Sequence, residues 1–353
     1  MDAGIFFGRN VQMNHLKDQH PLMKDLGREY RLMERRFMEY RVFLSAVELK
    51  LFDQLRKPIS AAKLAERAGT HAGLTQKLLD VLTASGFVVS TADGYCNTAE
   101  TTAFLTEGGA YFSAVSVDYL KGNYERFAGL TDQIIQGPQM VKKKKYTFKP
   151  DTIRMMANTC LLGRLQEIVG SVAALPGFDT LRRLLDIGGA HGLFAIALCQ
   201  ENPHLSAVVF DQPGVTDMAS EYIITYDMQK RISTVNGDHG VDRFGDGFDL
   251  VFESFTFFGN KTRLADYFAR IHHALAPGGL LVSVRSVLDD NRQGPVAALL
   301  WDLKNAMTGG EEMYHTTSEL FSILGEVGFS GIHFAGDPQR SSGDYQIIAA
   351  EKP

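Results

Sequence analysis

The stretch Leu184-Leu185-Asp186-Ile187-Gly188-Gly189-Ala190-His191-Gly192 constrains the fold of this chain more than any other. An apolar run ends in an acid and three glycines, a helical pattern follows over residues 193–199, and a second apolar run at 207–210 is closed by Asp211. That order spells strand, tight turn, helix, strand. Glycines let backbone approach a ligand closely where strand turns into helix, and the free N–H groups of a helix start favour an anionic group. An acid at the tip of the following strand can accept both hydroxyls of a ribose. The Gly-x-Gly-x-x-Gly spacing of dinucleotide sites fits Gly189 and Gly192 but needs a glycine where Ile187 stands, which argues against a nicotinamide cofactor.

Further strands at residues 183–187, 248–253, 279–285 and 346–351 alternate with helical stretches, which predicts a doubly wound, largely parallel α/β sheet. Such sheets bind ligands beyond the carboxyl ends of their strands, so Asp186, Asp211, Glu253 and Arg285 are expected on one rim. With 353 residues, 45% hydrophobic and 22% charged, the chain has length for two domains. Its net charge of −5 gives no global pull toward nucleic acid; the four lysines at 142–145 are the local exception. Cys96, Cys160 and Cys199 form neither a close pair nor a metal-binding spacing. The cysteine pattern suits a reducing compartment, and because His191, His272 and His273 include no pair at ligand spacing with an acid or cysteine, no metal is predicted. No signal peptide and no apolar run of membrane-spanning length is read, so a cytoplasmic protein without a membrane partner is expected.

Upstream, residues 27–56 carry apolar side chains at helical spacing, and Pro58 ends the segment. Ser60 caps a helix that stops at Gly69, a second helix covers 74–85, and residues 87–90 and 95–98 flank an Asp93-Gly94 turn. Helix, turn, helix, hairpin is the outline of a winged helix. A helix that reads DNA would carry basic side chains; this one has Lys77 beside Asp80, so nucleic acid is not an expected partner. Residues 110–175 are helical again, with an aromatic opening that includes Tyr119.

The order of these elements resembles the plant-type O-methyltransferase family, whose members include caffeate and acetylserotonin methyltransferases. The likeness covers nearly the whole chain and rests on Asp186 to Gly192, on Phe210-Asp211-Gln212-Pro213-Gly214-Val215, on Gly237-Asp238, on Pro277-Gly278-Gly279, and on Thr316-x-x-Glu319 before Gly328-Phe329. It implies a Rossmann-like class I methyltransferase domain using S-adenosyl-L-methionine (SAM), with S-adenosyl-L-homocysteine as product. A winged-helix dimerisation domain would occupy 1–105, a helical segment 106–175 would contribute to the acceptor pocket, and the SAM-binding domain would occupy 176–353. Asp211 would hold the ribose, Asp238 the adenine amino group and Gly188 the methionyl part, with Asp186, Gly189, Gln212, Glu253 and Ser254 completing the cofactor site. Ala190 stands where the family usually has glycine. A homodimer is implied, centred on the helix over 32–55, with residues 1–30 as candidates to reach the neighbouring acceptor site.

The family's catalytic histidine does not carry over. Phe257 occupies its position, and the two assisting acids map onto Arg285 and Tyr314. A phenol, with a pKa of about 10, calls for a positioned base at neutral pH. A thioether has no proton to lose, and its transfer needs only alignment of the reactants and tolerance of a sulfonium product. The faces of Phe255, Phe257 and Phe258 can stabilise that cation, and Arg285 suits a substrate carboxylate. Tyr119, Met156, Asn305 and His315 complete the expected acceptor pocket. Together these features look like the bacterial branch that methylates 4-methylthio-2-hydroxybutyrate on sulfur in dimethylsulfoniopropionate synthesis. C- or O-methylation of an aromatic or tetrapyrrole acceptor, with Tyr314, His315 or Tyr119 as acid or base, is the alternative, and a SAM-binding protein without transferase activity a further one.

Overall fold

A computed structural model describes residues 24–138, 148–310, 313–336 and 345–353. The lysine run at 142–145 and most of residues 1–30 lie outside the described residues. Two compact units divide the chain, Met1–Phe112 and Ser113–Pro353. The helices after residue 112, expected as a segment of their own, cluster with the sheet.

The first unit contains α1 (Lys24–Glu48), α2 (Leu51–Gln54), α3 (Ala61–Ala68), α4 (Ala72–Ala84), β1 (Val88–Thr91), β2 (Gly94–Asn97) and α5 (Ala99–Leu105). The single helix expected over 27–56 is broken at Lys50, which takes a left-handed φ of 50° while its ammonium lies 2.7 Å from Glu107. Ser60 caps α3 by accepting the Lys63 N–H, and Gly69 ends it in the left-handed region, as their residue types favour. The core gathers Phe52, Leu55, Leu64, Leu79, Leu82 and Val88. On α1, Leu26, Tyr30, Met33, Phe37 and Met38 remain exposed.

The second unit opens with α6 (Ala114–Ala128), α7 (Leu130–Gln136), α8 (Pro150–Cys160) and α9 (Arg164–Ala173). Alternation follows: β3 (Arg183–Ile187), α10 (Leu193–Glu201), β4 (Ser206–Asp211), α11 (Val215–Thr225), β5 (Ile232–Asn236), β6 (Phe248–Ser254), α12 (Lys261–Ala274) and β7 (Leu275–Arg285). The chain closes with α13 (Val296–Ala306), α14 (Thr317–Val327), β8 (Ser330–Ala335) and β9 (Gln346–Glu351). The seven strands lie in the order β5-β4-β3-β6-β7-β9-β8, parallel from β5 to β7, with β9 antiparallel to both neighbours. The sequence reading missed β5 and β8, the two edges. Edge strands bury little, so the apolar run that betrays a central strand is missing from them.

Side chains alternate across the sheet. Leu184, Val209, Leu250, Phe252 and Val282 pack with α9 and α10 through Val172, Ala195 and Leu198. Leu185, Ile187, Phe210, Val251 and Leu281 pack on the other face with α12 and α14 through Leu264, Phe268, Ile271 and Leu324. This period of two puts Asp186 on the Leu184 face, where α10 covers it. Among the described residues no helix is long and apolar enough to cross a membrane, and no group of three or more His, Cys, Asp or Glu is placed to hold a metal.

Candidate cofactor and acceptor site

The turn from β3 into α10 is tightly packed from both sides. Gly188 has a φ of 65°, and a Cβ there would run into the Thr256 side chain. A Cβ on Gly189 would lie 2.7 Å from Asp186 Oδ2 and 2.7 Å from Val209 Cγ1. Glycine is therefore required twice over, once for conformation and once for space. Ala190 holds a φ of 45° where glycine would be unstrained, at a cost of about 1 kcal/mol. Its N–H donates to Asp211 Oδ2 at 2.9 Å, which helps fix the loop against β4.

Two buried carboxylates stand at this end of the sheet. Asp211 accepts one backbone N–H on each oxygen, from Ala190 and from Gln212 at 2.7 Å, leaving lone pairs for two further donors. Gln212 also starts α11, its carbonyl accepting from Val215. Burial raises the Asp211 carboxyl. Asp186 is only 1% exposed, and its Oδ2 has no hydrogen-bond partner. Burial, then repulsion from Asp211, pushes Asp186 up to about 7. An orphaned buried oxygen beside a glycine cradle fits a ligand that brings hydrogen-bond donors. His191, inside the loop, accepts the Leu193 N–H on Nδ1, and burial lowers it to about 4, so it is neutral near pH 7. Beyond the end of β5, exposed Asp238 accepts the Gly240 N–H at 2.8 Å, while its own N–H donates to Asp242. Half-buried Ser254 ends β6.

Farther along the rim, the arrangement corrects the sequence reading at Arg285 and Phe257. Arg285 is 6% exposed and is spent inside the protein: its Nη2 pairs with Glu253 Oε1, and its Nε donates to Ser283 Oγ at 2.8 Å. Ser283 Oγ donates to the same Glu253 oxygen, and the Phe268 ring lies under the guanidinium at 5.0 Å. The fork expected for a substrate carboxylate is thus occupied by Glu253, and Glu253 in turn is committed to Arg285. Phe257 stacks on Tyr267 at 4.6 Å and 15°, with the Arg263 guanidinium 5.4 Å from its ring. It is a core residue, 6% exposed, with its ring engaged by protein groups.

Phe258 and Tyr314 do come together, edge to face at 6.0 Å, in a cluster with Leu288, Ala298 and Leu299. Burial, then the charge of Asp302, raises Tyr314 to about 12. His315 donates from Nε2 to the Gly259 carbonyl at 2.9 Å, and its Nδ1 lies 3.9 Å from Glu319. Asn305 sits on α13, where its carbonyl accepts from Thr308 and Gly310; Met156 is half-buried on α8. Tyr119 on α6 accepts from Lys304 at 3.3 Å.

The family model for the O-methyltransferase domain matches residues 141–330, more than half of the chain, and that for the O-methyltransferase dimerisation domain matches residues 31–107. The chain belongs to the O-methyltransferase family. As a member it is a SAM-dependent methyltransferase, and the cradle described above suits that cofactor. It is 28% identical over 313 residues to the tetracenomycin polyketide synthesis 8-O-methyl transferase TcmO of Streptomyces glaucescens, covering 84% of this chain and 89% of that one. It is 27% identical over 321 residues to the N,N-dimethyltransferase OxyT of Streptomyces rimosus, covering 87% and 91%. The fold matches human N-acetylserotonin methyltransferase in complex with SAM, with a TM-score of 0.70 at 21% identity over 92% of this chain and 97% of that one.

Three residues of this methyltransferase escaped the sequence reading. Arg164 on α9 lies near enough to His191 to disfavour its protonation, 5.8 Å from the Phe255 ring, with a buried Nε that has no hydrogen-bond partner. Lys304 on α13 is held by neutral groups: Asn123 Oδ1 at 2.7 Å, the Tyr119 hydroxyl, and the rings of Tyr119 and Trp301 at 4.7 and 4.4 Å. Thr256 touches both the glycine loop and the Glu253 carboxylate. Arg164 and Lys304 stand in no motif and are brought to the site by elements distant in sequence, whereas Thr256 heads the stretch 256–259 that aligns with the family's histidine motif and had no role read for it.

Proposed function

We propose that this SAM-dependent methyltransferase works without a general base, on an acceptor whose attacking atom carries no proton, and that the acceptor is a thioether of the 4-methylthio-2-hydroxybutyrate type. The observation that carries this reading is Phe257: the position where the resembled family places its histidine is filled by a buried ring stacked on Tyr267. The substitutes considered from sequence are engaged or poorly suited. His315 has Nε2 on the Gly259 carbonyl, Tyr314 is raised to about 12, and Tyr119 accepts from an ammonium group.

In this reading Asp211 holds the ribose, Asp238 the adenine amino group, and Gly188 and Gly189 the methionyl part, backed by Asp186, Gln212 and Ser254, while Glu253 is committed to Arg285 and Ser283. Bound there, SAM supplies an electrophilic methyl group on a sulfonium and leaves as S-adenosyl-L-homocysteine. A thioether has no proton to lose, so the protein has only to align the reactants, a factor worth up to roughly 7–11 kcal/mol. Phe258, half-buried beside Tyr314, offers an aromatic face to the sulfonium product. With Arg285 neutralised, the acceptor's carboxylate falls to Lys304, which contacts Tyr119, adjoins Asn305 and is held by the neutral groups of Asn123, Tyr119 and Trp301 among the described residues. Exposed Met33, Phe37 and Met38 of α1, within the dimerisation-domain match, support a homodimer.

O-methylation of an aromatic acceptor is the second reading, favoured by the likeness to TcmO. Purified protein with isotope-labelled SAM separates the two. In metal-free buffer, 4-methylthio-2-hydroxybutyrate should give a labelled dimethylsulfonium acid by mass spectrometry, with a raised acceptor KM for Lys304→Ala. Label incorporated only into phenols overturns the proposal.

A further inference from the structure

We propose that Thr256 is a positioning residue through which the glycine loop that holds the cofactor sets the conformation of the loop 255–259 on the acceptor side. The inference uses the assignment of SAM to the glycine loop and deepens the reading above, because residues 255–259 include the position left without a base.

Three contacts converge on Thr256. Its hydroxyl donates at 2.7 Å to the carbonyl of Ile187, the residue immediately before Gly188. Its side chain occupies the space a Cβ on Gly188 would need, so the loop's first glycine and Thr256 cannot move independently. Its N–H donates at 3.3 Å to Glu253 Oε2, the oxygen opposite the one shared by Arg285 and Ser283. One small residue thus joins the end of β3, the first glycine and a buried ion pair that is itself fixed to β7.

The neighbouring backbone is strained at Phe255. Phe255 has a φ of 53°, a conformation uncommon for a bulky side chain, while its N–H donates to Val284 at 2.9 Å. It is pinned between β7 behind and Thr256 ahead. Three residues past Thr256, Gly259 receives the His315 hydrogen bond, which ties the far end of the loop to the segment before α14. A shift of the Ile187 carbonyl and Gly188 when cofactor binds is therefore passed to residues 255–259 through a hydroxyl and a steric contact. Coupling requires an element whose arrangement both sites bias, and Thr256 is the physical connection between the glycine loop and residues 255–259.

Hydrogen exchange read by mass spectrometry tests this without an acceptor, using S-adenosyl-L-homocysteine as the probe on the full-length protein. In the wild type, saturating S-adenosyl-L-homocysteine should slow exchange in the peptide covering 255–259 by about tenfold, within the usual range of site-to-site coupling. Thr256→Val keeps the shape and removes the hydroxyl; its loop should show less than about a twofold response when calorimetry shows the ligand bound. Thr256→Ser restores the hydroxyl and should recover most of the response. Failure of the wild type to bind S-adenosyl-L-homocysteine would remove the cofactor assignment and this inference with it. Binding without protection of 255–259, or full protection in Thr256→Val, overturns the inference alone. If Thr256→Val does not fold, wild-type protection and its retention in Thr256→Ser decide in favour, and loss of either decides against.

Discussion

Replacing Arg285 by alanine separates a structural role from a substrate-binding role. The guanidinium is 6% exposed and its partner Glu253 is 0% exposed, so the deletion strands a carboxylate in the interior. Glu253 keeps the Ser283 hydroxyl and the Thr256 N–H, neither of which carries charge. Breaking a buried pair by removing one partner costs about 3–5 kcal/mol. For a domain of this size each kcal/mol moves Tm by roughly 2–4 °C, so a loss of about 6–20 °C is expected. Thermal denaturation followed by circular dichroism reads this directly. The double variant Arg285→Met with Glu253→Gln removes both charges and should recover most of the loss, because a neutral, filled site has no stranded ion. A drop of less than about 1 kcal/mol in Arg285→Ala, together with a selectively raised acceptor KM, would refute the reasoning and return Arg285 to the substrate.

Asp211→Ala removes the group expected to hold the ribose and also releases the Ala190 and Gln212 N–H groups; calorimetry should show SAM affinity down by about 100-fold or more, and unchanged affinity contradicts the assignment. Asp186 has a carboxyl raised to about 7 by burial and then by Asp211, so its contribution to stability is complete below the unfolded value of about 4 and is lost as pH rises through 7. Without SAM, Asp186→Asn should therefore gain stability relative to wild type between pH 4 and pH 8, and a pH-independent difference would contradict this. Exposed Met33 and Phe37 on α1 should lie in the dimer interface, so glutamate at both positions should yield a monomer by sedimentation; an undisturbed dimer places the interface elsewhere.

The sheet and its cofactor rim were legible because strand-end acids and turn glycines are dictated by local geometry: Gly188 needs its φ, and Asp211 must stand at a strand tip. The central strands announced themselves as apolar runs because both their faces are buried, whereas β5 and β8 at the edges did not. What pairs with what was not legible. Arg285 and Glu253 lie 32 residues apart on adjacent strands, and only their register, Glu253 against Ser283, brings them together. The sequence reading gave Arg285 to a substrate carboxylate; in the structure its partner is the buried Glu253. Phe257 was expected to face the acceptor, yet its ring stacks on Tyr267 of α12, a partner ten residues on that no motif marks. Lys304 and Arg164 carry no motif, and their surroundings come from α6 and from the glycine loop.

The central claim is that no residue removes a proton from the acceptor. Its most direct test is the single-turnover rate of methyl transfer at saturating SAM and 4-methylthio-2-hydroxybutyrate between pH 6.5 and pH 9. Base-independent transfer predicts a rate constant that varies by less than about twofold across that window. A rise of about tenfold per pH unit to a plateau would reveal an essential base and contradict the account.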